Sequence, residues 1–122
     1  MDEACRAHNY AIELDGGLLG VRDRGIIESA LARPYCGYYK SIAEKAAALT
    51  HSLALNHGFL DGNKRTTLFM VGILIGRSSY RLVFRNKRLA NTETEEMVLA
   101  VVEHKMSLEE LVEWYRKRIT KV

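Results

Sequence analysis

The sequence predicts an all-α, compact single-domain bundle of about six helices, with residues 1–122 forming one domain. Apolar residues recur at helical spacing through most of the chain, in runs separated by glycine clusters and a single proline. The run from Leu68 to Ile75 is apolar all round, the pattern of a helix buried at the centre of a bundle. Immediately before it stands a polar loop, His57 to Asn63, so the central helix is expected to follow and hold that loop.

Ala4, Ala7, Ala11 and Leu14 give residues 2–14 one apolar stripe, and Asp15-Gly16-Gly17-Leu18-Leu19-Gly20 stops that helix. Asp23 is a suitable cap for a helix to about Ala32, with Ile26, Ile27, Ala30 and Leu31 inward. Pro34 disfavours helical backbone at Arg33 and ends it. Tyr35, Tyr38 and Tyr39 surround Gly37 in a short connector, either a hairpin-like flap that docks a target or a lid on the core edge. Ser41 can cap a helix to about Asn56, whose alanines allow close approach of its neighbours. The next helix runs from near Asn63 to about Ser78. Gly72 and Gly76 weaken it, and their spacing predicts a second helix crossing closely there.

Tyr80-Arg81-Leu82-Val83-Phe84 alternates like a strand but has no evident partner, so it reads as an extended connector or short edge. Asn91 or Thr92 is expected to cap a helix to about Glu103, with Met97, Val98, Val101 and Val102 inward. Ser107-Leu108-Glu109-Glu110 spells a capping box for a last helix that carries Leu108, Leu111, Val112 and Tyr115 and then frays in a basic tail.

Composition narrows the function classes. The formal charge is only +3, but Lys64, Arg65, Arg77, Arg81, Arg85, Lys87 and Arg88 lie between Gly62 and Thr92 with no acid among them. Such a block either faces an anionic partner (nucleotide, nucleic acid, acidic polypeptide) or is a solvated basic face. Cys5 and Cys36 form no metal or redox pair, and no secretory segment precedes them; a reduced, cytoplasmic protein is expected. No apolar run approaches the roughly 20 residues of a membrane span.

His57-Gly58-Phe59-Leu60-Asp61-Gly62-Asn63-Lys64-Arg65 gathers an imidazole, a carboxylate, a Gly-Asn turn and two cations. With a helix starting near Asn63, the backbone N–H groups of Gly62, Asn63 and Lys64 are open donors for an anion. Gly62 lets a phosphate approach the backbone, and Arg65 can grip two phosphate oxygens at once. Asp61 suits such a place only with a hard cation between it and the phosphates, which Mg²⁺ provides. His57 is a natural general base for a hydroxyl. Singly, each residue has an ordinary reading: His57 at a helix C-terminus, Asp61 as a cap, Lys64 and Arg65 as surface charge, Phe59 as core. Their coincidence within one loop favours nucleotide phosphoryl chemistry. The glycine spacing before Lys64 is not that of a Walker A loop.

The run His57-x-Phe59-x-Asp61-Gly62-Asn63-Lys64-Arg65 resembles the central motif of the Fic/Doc superfamily, H-x-F-x-[DE]-G-N-G-R-x-x-R, in its death-on-curing (Doc) form. Gly16-Gly17-Leu18-x-Gly20-x-Arg22-Asp23, Glu28-Ser29-Ala30-Leu31-Ala32-Arg33-Pro34, Glu44 to Leu49 and His51-Ser52-Leu53 extend the likeness. The resemblance implies a Fic/Doc-like fold with His57 as base, Asp61 as Mg²⁺ ligand, Gly62, Asn63 and Lys64 as anion cradle and Arg65 on phosphate. Fic enzymes move AMP from ATP to a target hydroxyl; Doc toxins phosphorylate a threonine of elongation factor Tu and stop translation. Lys64 replaces the second motif glycine and Leu68 the second arginine, a combination that resembles Doc and implies transfer of the terminal phosphate of ATP. Fic-type AMP transfer is the alternative, and a non-catalytic basic helical module is a third reading. In the third, the basic block binds nucleic acid; the resemblance implies no direct nucleic-acid partner. No inhibitory [ST]-x-x-x-E-[GN] helix is recognised, since Thr92 to Glu96 is followed by Met97. The resemblance therefore implies silencing by a cognate antitoxin whose acids meet the basic block.

Overall fold

The computed structural model describes residues 5, 6, 9, 24–56 and 63–122. Among them it contains α1 (Arg24–Ala32), a 3₁₀ turn (Arg33–Tyr35), α2 (Ile42–Asn56), α3 (Asn63–Arg77), β1 (Tyr80–Leu82), a second 3₁₀ turn (Lys87–Leu89), α4 (Ala90–Val102), α5 (Leu108–Arg116) and β2 (Ile119–Lys121). The protein is mostly α-helical, as expected. Of the expected first helix, Cys5, Arg6 and Asn9 have helical backbone. The glycine-rich stop at Asp15–Gly20 and the cap at Asp23 lie outside the described residues.

The most enclosed element is α2. Ala43, Ala46, Ala47, Ala48, Leu49, Thr50, Ser52, Leu53 and Ala54 are all buried, and α1, α3, α4 and α5 pack around it. A helix surrounded on that many sides needs short side chains, because interaxial distances shrink only where methyl groups replace larger ones. Its N-terminus is fixed by Ser41, whose hydroxyl accepts from the Glu44 N–H at 3.1 Å while Glu44 Oε1 accepts from the Ser41 N–H at 3.3 Å. This reciprocal capping box satisfies two donors that the helix itself cannot.

Helix α3 is less enclosed than its composition predicts. Met70, Val71, Leu74 and Ile75 are buried, but Gly72 and Gly76 are exposed and Phe69 is 36% exposed. A Cβ built on either glycine meets no atom within 4 Å. Among the described residues no helix crosses closely at these glycines, and the central place belongs to α2. Gly72→Ala and Gly76→Ala are therefore each expected to raise stability by about 1 kcal/mol, the propensity difference in a helix interior. Urea denaturation midpoints at unchanged slope measure this. A loss at either position would mean that the face is covered.

Three further expectations are corrected at the C-terminal half. Tyr80–Leu82 has a partner after all: β1 pairs antiparallel with β2, with Tyr80 opposite Lys121, Arg81 opposite Thr120 and Leu82 opposite Ile119. The ladder is extended by the Val83 N–H donating to the Arg118 carbonyl at 2.7 Å and the Val122 N–H to the Ser79 carbonyl at 2.9 Å. The basic tail is thus a strand rather than a frayed end. Arg118 secures it, with its guanidinium carbon 4.1 Å from the Trp114 ring centroid and Nε 3.7 Å from Glu93. Helix α4, for its part, is entered through the second 3₁₀ turn, capped by Asn86, whose Oδ1 accepts from the Arg88 N–H at 3.0 Å. That places the side-chain cap upstream of Asn91 and Thr92, which fall inside the helix. The expected box at α5 is present: the Ser107 hydroxyl accepts from the Glu110 N–H and Glu110 from the Ser107 N–H, both at 3.1 Å.

Candidate active site

The loop expected to carry the chemistry is bracketed as the sequence reading places it. Helix α2 runs to Asn56 and α3 begins at Asn63. His57, Phe59, Asp61 and Gly62 lie outside the described residues, and Asn63 and Lys64 are described as the opening backbone of α3. The first turn of α3 carries no acid. A 15-residue helix that starts with cations and no carboxylate in its own first turn offers the donor set an anion requires. Arg65 is exposed in that turn, whereas Thr66 and Thr67 behind it are buried, at 1% and 0% exposure. Leu68, at the place of the second Fic arginine, is half-buried among core residues. It brings no cation to the site.

The Thr66 hydroxyl is the buried side-chain oxygen without a hydrogen-bond partner among the described residues. A buried hydroxyl left unpaired costs about 1–3 kcal/mol, and this one sits one turn from the loop. No group of three or more His, Cys, Asp or Glu side chains that could hold a metal occurs among the described residues. The one carboxylate expected to meet Mg²⁺, Asp61, lies outside them.

The tyrosine connector is described in full. It is not a hairpin: Arg33–Tyr35 is a 3₁₀ turn, and Gly37, at φ 89°, makes the bend that follows. That backbone conformation favours glycine, because a Cβ there strains the chain. Tyr35 and Tyr38 project outward at 69% and 78% exposure, while Tyr39 is half-buried. The three tyrosines therefore divide into two that face solvent and one tied inward. The tie is Arg33, at the helix end before Pro34. Its Nε donates to the Tyr39 hydroxyl at 2.9 Å, and Nη1 donates to Ser52 Oγ at 2.7 Å and lies 3.4 Å from His51 Nδ1. The guanidinium carbon also lies 5.5 Å from the Tyr39 ring centroid.

Because a guanidinium can only donate, His51 Nδ1 must be the acceptor and its proton belongs on Nε2. Burial lowers the His51 pKa below its ordinary value, and the charges of Arg33 and His104 push the same way against a smaller opposing pull from Glu109. The neutral ring that the geometry requires is the form its surroundings favour. A sequence signal for Arg33 existed, a lone arginine between a helix end and a proline, but nothing in the spacing names partners 18 and 19 residues away.

In the basic block, Arg77, Arg81, Arg85, Lys87 and Arg88 are all exposed, spread from the end of α3 through β1 to the second 3₁₀ turn. Both cysteines are free, Cys36 exposed and Cys5 partly buried. No helix among the described residues is long and apolar enough to cross a membrane.

An all-α bundle with an H-x-F-x-D-G-N-K-R loop between its enclosed helix and the start of the next belongs to the Fic/DOC family, whose model matches residues 1–75. That stretch spans α1, α2 and nearly all of α3. The chain is also similar to Toxin Doc of Mycolicibacterium smegmatis (strain ATCC 700084 / mc(2)155), with 52% identity over 56 residues, covering 42% of this chain and 43% of the relative. The match thus spans less than half the length of that curated relative.

Proposed function

We propose that this chain is a Doc-type toxin that transfers the terminal phosphate of ATP to a threonine hydroxyl of a translation protein, elongation factor Tu being the expected target. The observation that carries the reading is the start of α3. It opens at Asn63 with Lys64 in place of the second motif glycine, has no acid in its first turn, and places Leu68 rather than a cation one turn on. The 52% identity to a protein named Toxin Doc supports the toxin class.

In this reading His57 takes the proton of the target hydroxyl as the hydroxyl oxygen forms its bond to the γ-phosphorus. The bond from that phosphorus to the bridging oxygen breaks, leaving ADP, a phosphothreonine and protonated His57. The N–H groups of Gly62, Asn63 and Lys64 cradle the phosphates, and Arg65 steadies the charge that develops on them. Asp61 would hold Mg²⁺, which when bound neutralises phosphate charge. A cognate antitoxin silences the toxin in the cytoplasm, with acidic residues placed against the exposed basic block.

The experiment is a pair of transfer assays with elongation factor Tu and ATP labelled at the α- or the γ-phosphate. The expected outcome is label from the γ-position alone. Label from the α-position alone would replace this reading by Fic-type AMP transfer, and no label from either would favour the non-catalytic basic module.

A further inference from the structure

We propose that His51 is a pH-sensitive latch: a proton taken up from solvent on its ring unseats Arg33 and releases residues 36–40 from helix α2. The latch belongs to the folded chain alone and needs neither ATP nor a protein target.

His51 and Ser52 are neighbours on α2, and one nitrogen of Arg33 serves both. Nη1 donates to Ser52 Oγ at 2.7 Å and lies 3.4 Å from His51 Nδ1, while Nε donates to the Tyr39 hydroxyl at 2.9 Å. One rigid fork thus joins the end of α1 to α2 and to Tyr39. The arrangement holds only while Nδ1 keeps its lone pair. An imidazolium carries N–H groups on both nitrogens, so no rotation of the ring then offers Arg33 an acceptor. Two cations would face each other at that short distance beside Ser52, which is only 7% exposed, where solvent screens their repulsion poorly. The guanidinium cannot back away from the ring without stretching its bonds to Ser52 and Tyr39, because all three contacts leave one planar group.

The surroundings of the ring set the direction. Burial, then Arg33, then His104 in the left-handed turn after α4 disfavour the charged form, and together they outweigh Glu109 of α5. These are the groups that act on the ring among the described residues. The ring is therefore mostly neutral at pH 6.5 and takes its proton below it. As pH falls the unfolded chain binds that proton first. The stability that depends on neutral His51 is thus full above pH 6.5 and is lost from there down to the midpoint of the folded ring.

An NMR titration of the full chain from about pH 7.5 to about pH 5 tests this, following the His51 ring and the amides of Gly37, Tyr38, Tyr39 and Lys40. The ring midpoint is expected below 6.5, and the four amides are expected to shift with that same midpoint. Arg33→Gln removes the facing charge and is expected to move the ring midpoint up toward 6.5. His51→Gln keeps a neutral polar side chain and is expected to hold the amides still across the range. His104→Asn, which tolerates the left-handed backbone, is expected to leave their titration in place. Amides that stay still while the wild-type ring titrates, or that keep titrating in His51→Gln, overturn the latch. A ring midpoint unmoved in Arg33→Gln overturns it as well. If either variant folds poorly, the wild-type comparison of ring and amide midpoints decides on its own.

Discussion

His57→Ala is expected to reduce γ-phosphate transfer to elongation factor Tu by about 10²- to 10⁴-fold, the range a positioned general base contributes. The target hydroxyl is a weak nucleophile at neutral pH, and its proton must leave as the oxygen reaches phosphorus. In the proposed mechanism the N–H groups at the start of α3 and the cations beside them would still bind nucleotide without the imidazole. KM for ATP is therefore expected to stay within a few-fold while kcat falls, the signature of an interaction used chiefly in the transition state. The same variant should lose toxicity when expressed without antitoxin. Retained toxicity with retained binding to nucleic acid would sink the enzyme reading in favour of a basic binding module, and binding by that module should fall steeply with salt. Loss of ATP affinity in step with kcat would assign His57 to the cradle and not to proton transfer.

What could be read in advance follows from the range of the interactions concerned. The helix start at Ser41 and the box at Ser107 depend on residues three apart, and both appear with the expected donors and acceptors. The boundaries of the motif loop were equally legible, since α2 ends at Asn56 and α3 begins at Asn63. The strand pairing of Tyr80–Leu82 with Ile119–Lys121 was not, because neither half signals its partner and the C-terminal half is three residues of ordinary composition. Burial misled in α3, where an unbroken apolar run hides two exposed glycines. Hydropathy counts a glycine as neutral filler, and only the surrounding packing decides whether it marks a crossing or a bare face. The alanine-rich α2 is the most enclosed of the described helices, because enclosure selects for small volume as well as for apolar surface. Arg33 was invisible as a hub for the same reason as the strands, its partners Tyr39 and Ser52 being brought together by the fold.

Tyr115→Ala is expected to destabilise the protein by about 3–5 kcal/mol, a large part of the roughly 5–15 kcal/mol that holds a domain of this size. Tyr115 is 1% exposed and heads the fully buried side chains by volume. It joins α5 to the enclosed α2: its hydroxyl lies 2.5 Å from Thr50 Oγ1, and Thr50 already donates to the Ala46 carbonyl at 2.8 Å, so the phenol must be the donor. The ring also meets Trp114 edge to face at 5.1 Å, beside the cation that holds the C-terminal strand. Tyr115→Phe keeps the ring and removes the donor, and is expected to cost about 1 kcal/mol, the net worth of one hydrogen bond. Urea melts of both variants should show lower midpoints at an unchanged slope, with alanine far below phenylalanine. Burial raises the phenol pKa well above its ordinary value of 10.0. The unfolded chain therefore loses its proton first, and wild-type stability is fully present below pH 10.0 and falls as pH rises from there toward the folded value. Tyr115→Phe should remove that alkaline loss. An alanine variant within about 1 kcal/mol of wild type would refute the view that α5 is anchored on α2 through this ring.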